Sequence, residues 1–294
     1  MQKIDTHMHC FRTRPLAPHT GESTYFMTPE EVLAKWDAYG IKSGILLPVV
    51  SPEYMGPTQT NAEVLALVRE YPERFSWFCN IDPRACGNSP NSDFSSLLRT
   101  CKDQGALGLG EITANLPFDD PLMKNLFSHC EQNGMPVLFH IAPQQGGCYG
   151  LVDDVGLPGL ENALQTFPSL VFIAHSQPFW AEIAQGVTPQ NRNQYPKGLV
   201  KPGRVVELMR HYSNLYADLS ANSGFNALKR DEEFALTFLE EFSDRLFFAT
   251  DLCAREEDIG LSFWLDAMHE KGRLKGEVYR KICWENAEQI LFKK

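Results

Sequence analysis

The 294-residue sequence predicts an α/β fold closed as a (β/α)8 TIM barrel, and three observations carry that expectation. Apolar runs of strand length alternate with amphipathic segments along the whole chain, eight times over. Several runs are continuously apolar, as parallel strands covered on both faces must be. Four of them end in a side chain able to bind a metal ion, and a side chain that terminates a buried strand projects past the sheet edge, so the four endings share one rim. Roughly 250 residues is typical of such a barrel, and a doubly wound sheet is the runner-up.

Taken in order, the first strand is Lys3 to Thr6, leading into Asp5-Thr6-His7-Met8-His9. Thr28-Pro29-Glu30-Glu31 then opens a helix: Thr28 caps it, Pro29 takes the first helical position, Glu31 closes a capping box, and Gly40 stops it. Gly44 to Val50 and Phe75 to Ile81 follow as strands two and three, and Ala106 to Ile112 as strand four, carrying Gly108-Leu109-Gly110-Glu111. Asp119 or Asp120 before Pro121 starts a helix through Leu122, Leu126, Phe127 and Cys130 to Gly134. Strands five to eight are Val137 to Ile141, Leu170 to Ala174, Leu215 to Leu219 and Leu246 to Thr250, with a helix marked by Phe234, Leu236, Phe238, Leu239 and Phe242 before the last. The stretch from Glu256 to Phe292 holds two helices broken near Gly272 to Gly276. No repeat or Pro/Gly linker divides the chain, so residues 1–294 read as a single domain. Three long connections follow strands, at Cys10 to Met27, Pro143 to Leu157 and Ser176 to Pro202; in a barrel these are loops of the catalytic face.

The formal net charge of -10 excludes a protein that grips a nucleic-acid backbone, which needs a basic face. The expected partner is a small molecule, more easily uncharged or cationic than anionic. An anionic substrate would need local arginines, for which Arg12, Arg14 and Arg255 lie nearest the proposed site in sequence. Tyr149, Phe179, Trp180 and Tyr195 give the long loops aromatic surface for substrate walls, and exposed aromatics there are compatible with a homodimer. Eight cysteines without Cys-x-x-Cys pairs suit a reduced cytoplasmic protein, with Cys10 and Cys253 as packing residues. The first strand begins almost at Met1, and no long apolar stretch suggests a leader or a membrane.

His7 and His9 lie two apart, so on an extended strand both imidazoles point the same way and can bind one ion. Alone the pair is weak; it gains weight from His140 and His175, each closing an apolar run where an unpartnered imidazole is costly. Asp251 closes the last run, where a carboxylate needs a metal, a partner or a helix to cap; it is assigned as the base that accepts a proton from water. Glu111, after glycines that permit close approach, could bridge two ions, bind one, or pair with an arginine. The expected metal set is therefore His7, His9, Glu111, His140, His175 and Asp251, with Asp251 and His175 catalytic and Arg12, Arg14, Tyr149, Phe179, Trp180 and Arg255 toward substrate. Asn80, Asp82 and Asp218 are assigned hydrogen-bonding roles in the framework. His19, His129, His211 and His269 read as ordinary surface or packing residues.

With those residues in place, the sequence resembles the amidohydrolase superfamily, most closely the amidohydrolase-related branch of the aminocarboxymuconate semialdehyde decarboxylase type. Asp5-Thr6-His7-Met8-His9 is similar to the strand-one Asp-x-His-x-His motif, His140 and His175 to the strand-five and strand-six histidines, and Asp251 to the strand-eight aspartate. The resemblance implies a distorted barrel of the metal-dependent hydrolase type with one or two divalent ions, zinc first and Mn2+ or Fe2+ as the other candidates. It implies a metal-activated water attacking a carbonyl or phosphorus centre. Gly110-Glu111 is also locally similar to the TatD-type deoxyribonucleases, where a glutamate supports a two-metal site. No lysine follows strand four at Glu111, so a carbamylated-lysine site is not supported. The leading expectation is hydrolysis of a small amide, ester or lactone. The alternatives are non-oxidative decarboxylation of an aromatic or unsaturated acid and a catalytically silent barrel acting as a binding protein.

Overall fold

A ring of parallel strands organises the chain, and the computed structural model describes residues 2–13, 26–54, 56–255 and 257–292. The strands are β1 (Lys3–Met8), β2 (Ile41–Leu46), β3 (Phe75–Cys79), β4 (Ala106–Ile112), β5 (Val137–Ala142), β6 (Phe172–His175), β7 (Leu215–Asp218) and β8 (Leu246–Phe247), hydrogen-bonded in that order. Closure comes where the last strand meets the first. The Thr6 amide donates to the Phe248 carbonyl at 3.1 Å and the Asp251 amide to the His7 carbonyl at 2.8 Å, with a bridge between Met8 and Leu252. A doubly wound sheet would leave those edges open, so the barrel stands and the runner-up falls. Among the described residues no helix is long and apolar enough to cross a membrane.

The helices begin and end where local chemistry directs. Pro29–Ala38 carries its capping box, the Thr28 amide donating to Glu31 Oε2 at 2.9 Å, and Gly40 follows at φ 68°. Asp120, not Asp119, caps Pro121–Gln132, accepting from the Leu122 amide at 2.8 Å. The carboxyl-terminal stretch is helical over Gly260–Glu270 and again over Gly276–Arg280, which runs on into π-type turns to Leu291.

Two apolar layers form. Helices pack outside the sheet, while Ile4, Ile45, Leu47, Phe78, Leu138, Ile173 and Phe247 fill the barrel interior and Ala287 and Leu291 join them from the final segment. Each large interior side chain contributes about 1.5–3 kcal/mol by leaving water. Strand alternation then dictates what lies above this floor. Leu138 and His140, Ile173 and His175, and Phe247 and Asp251 are separated by even steps, so an apolar interior residue is followed up the strand by a polar one. On β1 the interior residues Ile4 and His7 are three apart, an odd step that alternation forbids. An irregular register between Asp5 and Met8 absorbs it, and a matching shift on β4 between Leu109 and Ile112 brings Glu111 inward. Gly110 is required beside that shift: its φ is 150°, and a Cβ there would lie 2.5 Å from the Leu138 carbonyl oxygen.

Asp5 is a clamp on barrel closure. Fully buried, it accepts from the Thr250 amide (2.9 Å), the Thr250 hydroxyl (2.5 Å), the Trp36 indole (3.1 Å) and the His7 amide (3.2 Å), tying β1 to the end of β8 and to the first helix. The loop after β5 folds back, its Leu151–Val152 pair adding to Ile141 and Ala142. Asn115 pins this loop through the Gln144 and Gly150 carbonyls and the Gly146 amide.

Candidate metal centre

Six side chains from the ends of five strands, His7 on β1 and His9 just past it, Glu111 on β4, His140 on β5, His175 on β6 and Asp251 past β8, converge at the carboxyl mouth of the barrel. His7 Nε2 and His9 Nε2 are 3.2 Å apart. Glu111 Oε2 lies 3.6 Å from the first and 3.4 Å from the second, and Asp251 Oδ1 lies 3.5 Å from each. Metal–nitrogen and metal–oxygen bonds of about 2.0–2.1 Å at tetrahedral angles require donor separations of about 3.3–3.4 Å. The five separations are of that size, and His7, His9 and Glu111 form a group whose ligand atoms lie within 4.8 Å of one another, as a divalent ion needs.

The outward nitrogens support this fit. His7 Nδ1 donates to Asp218 Oδ2 at 2.8 Å and His9 Nδ1 to the Leu47 carbonyl at 2.9 Å, which leaves each Nε2 lone pair turned to the common point. Glu111 straddles two subsites: Oε2 faces the His7–His9 pair, whereas Oε1 is 2.9 Å from His140 Nδ1. Glu111, His140 and His175 form a second group with ligand atoms within 4.8 Å of one another, so the donor set suits one ion or two sharing Glu111.

Electrostatics point the same way. Burial disfavours charge on His7, yet Asp251 and Asp218 outweigh it and hold the pKa well above the usual histidine range; His175 rises likewise to about 10, against burial, through Asp218 and Asp251. Desolvation raises the pKa of both buried Glu111 and partly buried Asp251, yet the surrounding histidines hold them below the ordinary carboxylate range, Glu111 through His140, His7 and His9 and Asp251 through His7, His175 and His9. His140 falls below its usual value, chiefly through burial. A cluster of buried carboxylates that holds protons on its imidazoles is a cluster that binds positive charge, which a divalent ion supplies in a proton's place.

Asp218 does more than its assigned framework role. It accepts from His7 Nδ1 and, at 3.1 Å through Oδ1, from His175 Nδ1, and it takes further bonds from the Ser220 hydroxyl (2.5 Å) and amide (3.1 Å). One carboxylate thus orients two imidazoles on different strands. The signal was in the register: Ala174 pairs with Ala217, so Asp218 and His175 end adjacent strands side by side. Asn80 keeps a framework role, bonding the Pro48 and Glu111 carbonyls, and Asp82 pairs with Arg84.

A cavity of about 470 Å³ opens over the cluster, bordered by His9, Glu111, Tyr54, Tyr149, Tyr195 and Asp251. A second lobe of about 340 Å³ reaches His140, His175 and Gln177 and shares Tyr149, Tyr195, Ala221 and Asp251 with the first. Tyr149 lies with its ring centroid 4.5 Å from that of His140, an approach that Gly150 permits because a Cβ there would meet His140 at 2.8 Å. Tyr54 was missed in the sequence; it comes from the loop after β2, which carries no motif. Cys253 borders the cavity, and Cys10 is buried in the core.

Four expected substrate contacts need correcting. Arg12 turns outward, bonding Glu30 at 2.7 Å, pairing with Glu70 and stacking over Tyr71, and Arg255 pairs with Glu31. Neither borders either lobe, because surface carboxylates from neighbouring helices capture both guanidinium groups. Phe179 and Trp180 are packing residues in the short helix Gln177–Ala181, the Trp180 indole donating to the Asp218 carbonyl at 3.1 Å. Arg14 lies outside the described residues.

A family model described as amidohydrolase matches residues 4–293. No curated protein matches the sequence. Among solved structures, an uncharacterized TIM-barrel protein from Bordetella bronchiseptica is 18% identical over 99% of both chains, with a TM-score of 0.67. A probable 2-pyrone-4,6-dicarboxylic acid hydrolase from Acinetobacter baumannii, with citric acid bound, is 17% identical over 100% of both chains at a TM-score of 0.60. A dihydroxybenzoic acid decarboxylase from Polaromonas, with bound manganese and the inhibitor 2-nitroresorcinol, is 16% identical over 99% of this chain and 97% of its own, at 0.59. At these identities the likeness is one of fold.

Proposed function

The chain belongs to the amidohydrolase family, and within it we propose a metal-dependent hydrolase acting on a small ester, lactone or amide. The observation that carries this reading is the placement of Asp251, whose Oδ1 faces the His7 and His9 nitrogens while Oδ2 faces His175 Nε2 at 3.4 Å. When bound at His7, His9, Glu111 and Asp251, a divalent ion supplies Lewis acidity, polarising a carbonyl and lowering the pKa of water from 15.7 towards about 7. Asp251 then accepts the proton of the attacking water on one oxygen, next to His175, which holds a proton for the leaving group or the developing oxyanion. Asp218 keeps the His175 ring in the orientation that this transfer needs. Tyr149 and Tyr195 border the space above, in both lobes.

Zinc suits donor separations of this size; manganese and iron also accept this imidazole and carboxylate set. The eight free cysteines favour the reducing cytoplasm as its setting. Non-oxidative decarboxylation is the second reading, favoured by the manganese-bound decarboxylase of the same fold.

The test is Asp251→Asn, assayed against a panel of esters, lactones and amides in 18O-labelled water. Hydrolysis puts one labelled oxygen into the acid product. The variant should retain most of its metal and lose at least about 100-fold in kcat, in line with removal of a general base. Full activity in Asp251→Asn would refute its assignment, and carbon dioxide release without label would select decarboxylation.

A further inference from the structure

The two lobes of the cavity differ from an anion-binding pocket in one respect: among the described residues, neither is bordered by a single lysine or arginine. What borders them is acidic and aromatic. Glu111 and Asp251 border the first lobe from the metal cluster, and Glu257, Asp258, Phe225, Tyr54, Tyr149 and Tyr195 also line it. Tyr54 and Tyr149 pack edge to face, ring centroids 5.1 Å apart. The two nearby arginines are held elsewhere by Glu30, Glu70 and Glu31. Lys35 donates to the backbone carbonyls of Arg255 and Glu257 and its charge partly offsets that of Glu257, but it does not border the cavity.

Charge counting gives the consequence. One divalent ion is balanced by Glu111 and Asp251 alone; beyond them Glu257 accepts from the Cys253 and Ala254 amides and feels Lys35, and Asp258 accepts from the Tyr39 hydroxyl, so the metal has no charge left over for either. Two ions would be balanced by Glu111, Asp251, Glu257 and Asp258, with Asp218 a further negative charge behind His7 and His175, and would leave no surplus positive charge for a substrate anion. A carboxylate on the far end of a substrate would lose its water without gaining a cation, and in this pocket it would also face like charge. Tyrosine faces and hydroxyls, by contrast, accept an uncharged ring or a cationic group.

We infer that the substrate carries no negative charge at the end remote from the reacting carbonyl: it is an uncharged or amine-bearing ring compound. This rests on the cavity being the substrate pocket of the proposed hydrolase, and it separates this chain from enzymes of di- and tricarboxylates. It follows that the counter-charge selecting the substrate is the acidic wall at Glu257 and Asp258.

The experiment measures binding, so its outcome is independent of which bond the enzyme breaks. The zinc-loaded full chain is titrated calorimetrically with three amides that differ only in the para group: benzamide, 4-carbamoylbenzoate and 4-(aminomethyl)benzamide. The expected result is that the carboxylate binds at least tenfold more weakly than benzamide, that the amine binds at least as tightly, and that Glu257→Gln together with Asp258→Asn narrows the gap. Salt should narrow it too, as screening demands. Equal or tighter binding of 4-carbamoylbenzoate overturns the inference. If that preference disappears in Arg14→Gln, the overturning cation is Arg14. A normal charge preference in a protein that releases carbon dioxide without label would leave this inference standing and remove the hydrolase reading instead.

Discussion

Replacing Asp218 by asparagine tests whether this carboxylate sets the metal centre from one layer behind it. The side chain keeps its shape and its burial, but the charge that two imidazoles share is gone, and an amide offers one acceptor oxygen where Asp218 offers two, at 2.8 Å from His7 Nδ1 and 3.1 Å from His175 Nδ1. One ring therefore loses its acceptor, and the freed ring can turn or change tautomer, taking its Nε2 lone pair off the common point. Loss of an outer partner of this kind costs about 10–100-fold in metal affinity, or about 1.4–2.8 kcal/mol. The assay is competition with a chromophoric chelator, together with metal content by elemental analysis and circular dichroism to confirm the fold. Zinc affinity within twofold of the unaltered protein would refute the reasoning, since it would mean that the rings are oriented without Asp218. Ser220→Ala, which removes a hydroxyl 2.8 Å from His175 Nδ1 but leaves the carboxylate, should cost less than Asp218→Asn.

Three further outcomes concern the framework. Gly110→Ala should fail to accumulate as soluble protein or should lower the melting temperature sharply, by about 2–4 kcal/mol of stability, because the added Cβ meets the Leu138 carbonyl at 2.5 Å; unchanged melting would show that the strand pair can part. Lys3→Met should cost about 1–3 kcal/mol in urea unfolding, since buried Lys3 Nζ donates to Asp266 Oδ2 at 2.8 Å and to the Tyr39 carbonyl at 3.2 Å; a smaller change means the pair is merely tolerated. Arg84 bonds Asp82 at 2.6 Å and Glu53 at 2.7 Å, and it holds Glu53 below its ordinary value of 4.5 and, against burial, Asp82 below 3.8. Carboxylates with lowered folded pKa values add stability above their unfolded values and lose it as pH falls through the folded ones. Arg84→Met should therefore destabilise by about 1 kcal/mol at pH 7 and by progressively less below about pH 4, and an equal loss at both ends would refute the ionic account.

Much of the centre was legible in the chain because strand ends are local features. His140, His175 and Asp251 each close an apolar run, and an even step separates each from an interior hydrophobic residue, so their common rim followed from alternation alone. His7 and Glu111 were found by residue type and motif, but alternation would have misdirected them. Their inward aim depends on register shifts at β1 and β4 that no local pattern announces. Arg12 and Arg255 failed for the opposite reason. Nearness in sequence to a ligand says nothing about which way a long, flexible guanidinium turns, and Glu30, Glu70 and Glu31 on the neighbouring helices decided it.

The sequence by itself determined the eightfold alternation, the capped helices and the kinds of donor atom at the strand ends, all of which depend on neighbours within a few residues. Only the tertiary structure decided that Asp218 serves two imidazoles at once, that Glu111 straddles two subsites, and that Tyr54 reaches the cavity, which has no cation along its described walls. Those features depend on distances between residues remote along the chain, such as the 3.5 Å from His9 to Asp251, and barrel closure is what sets such distances.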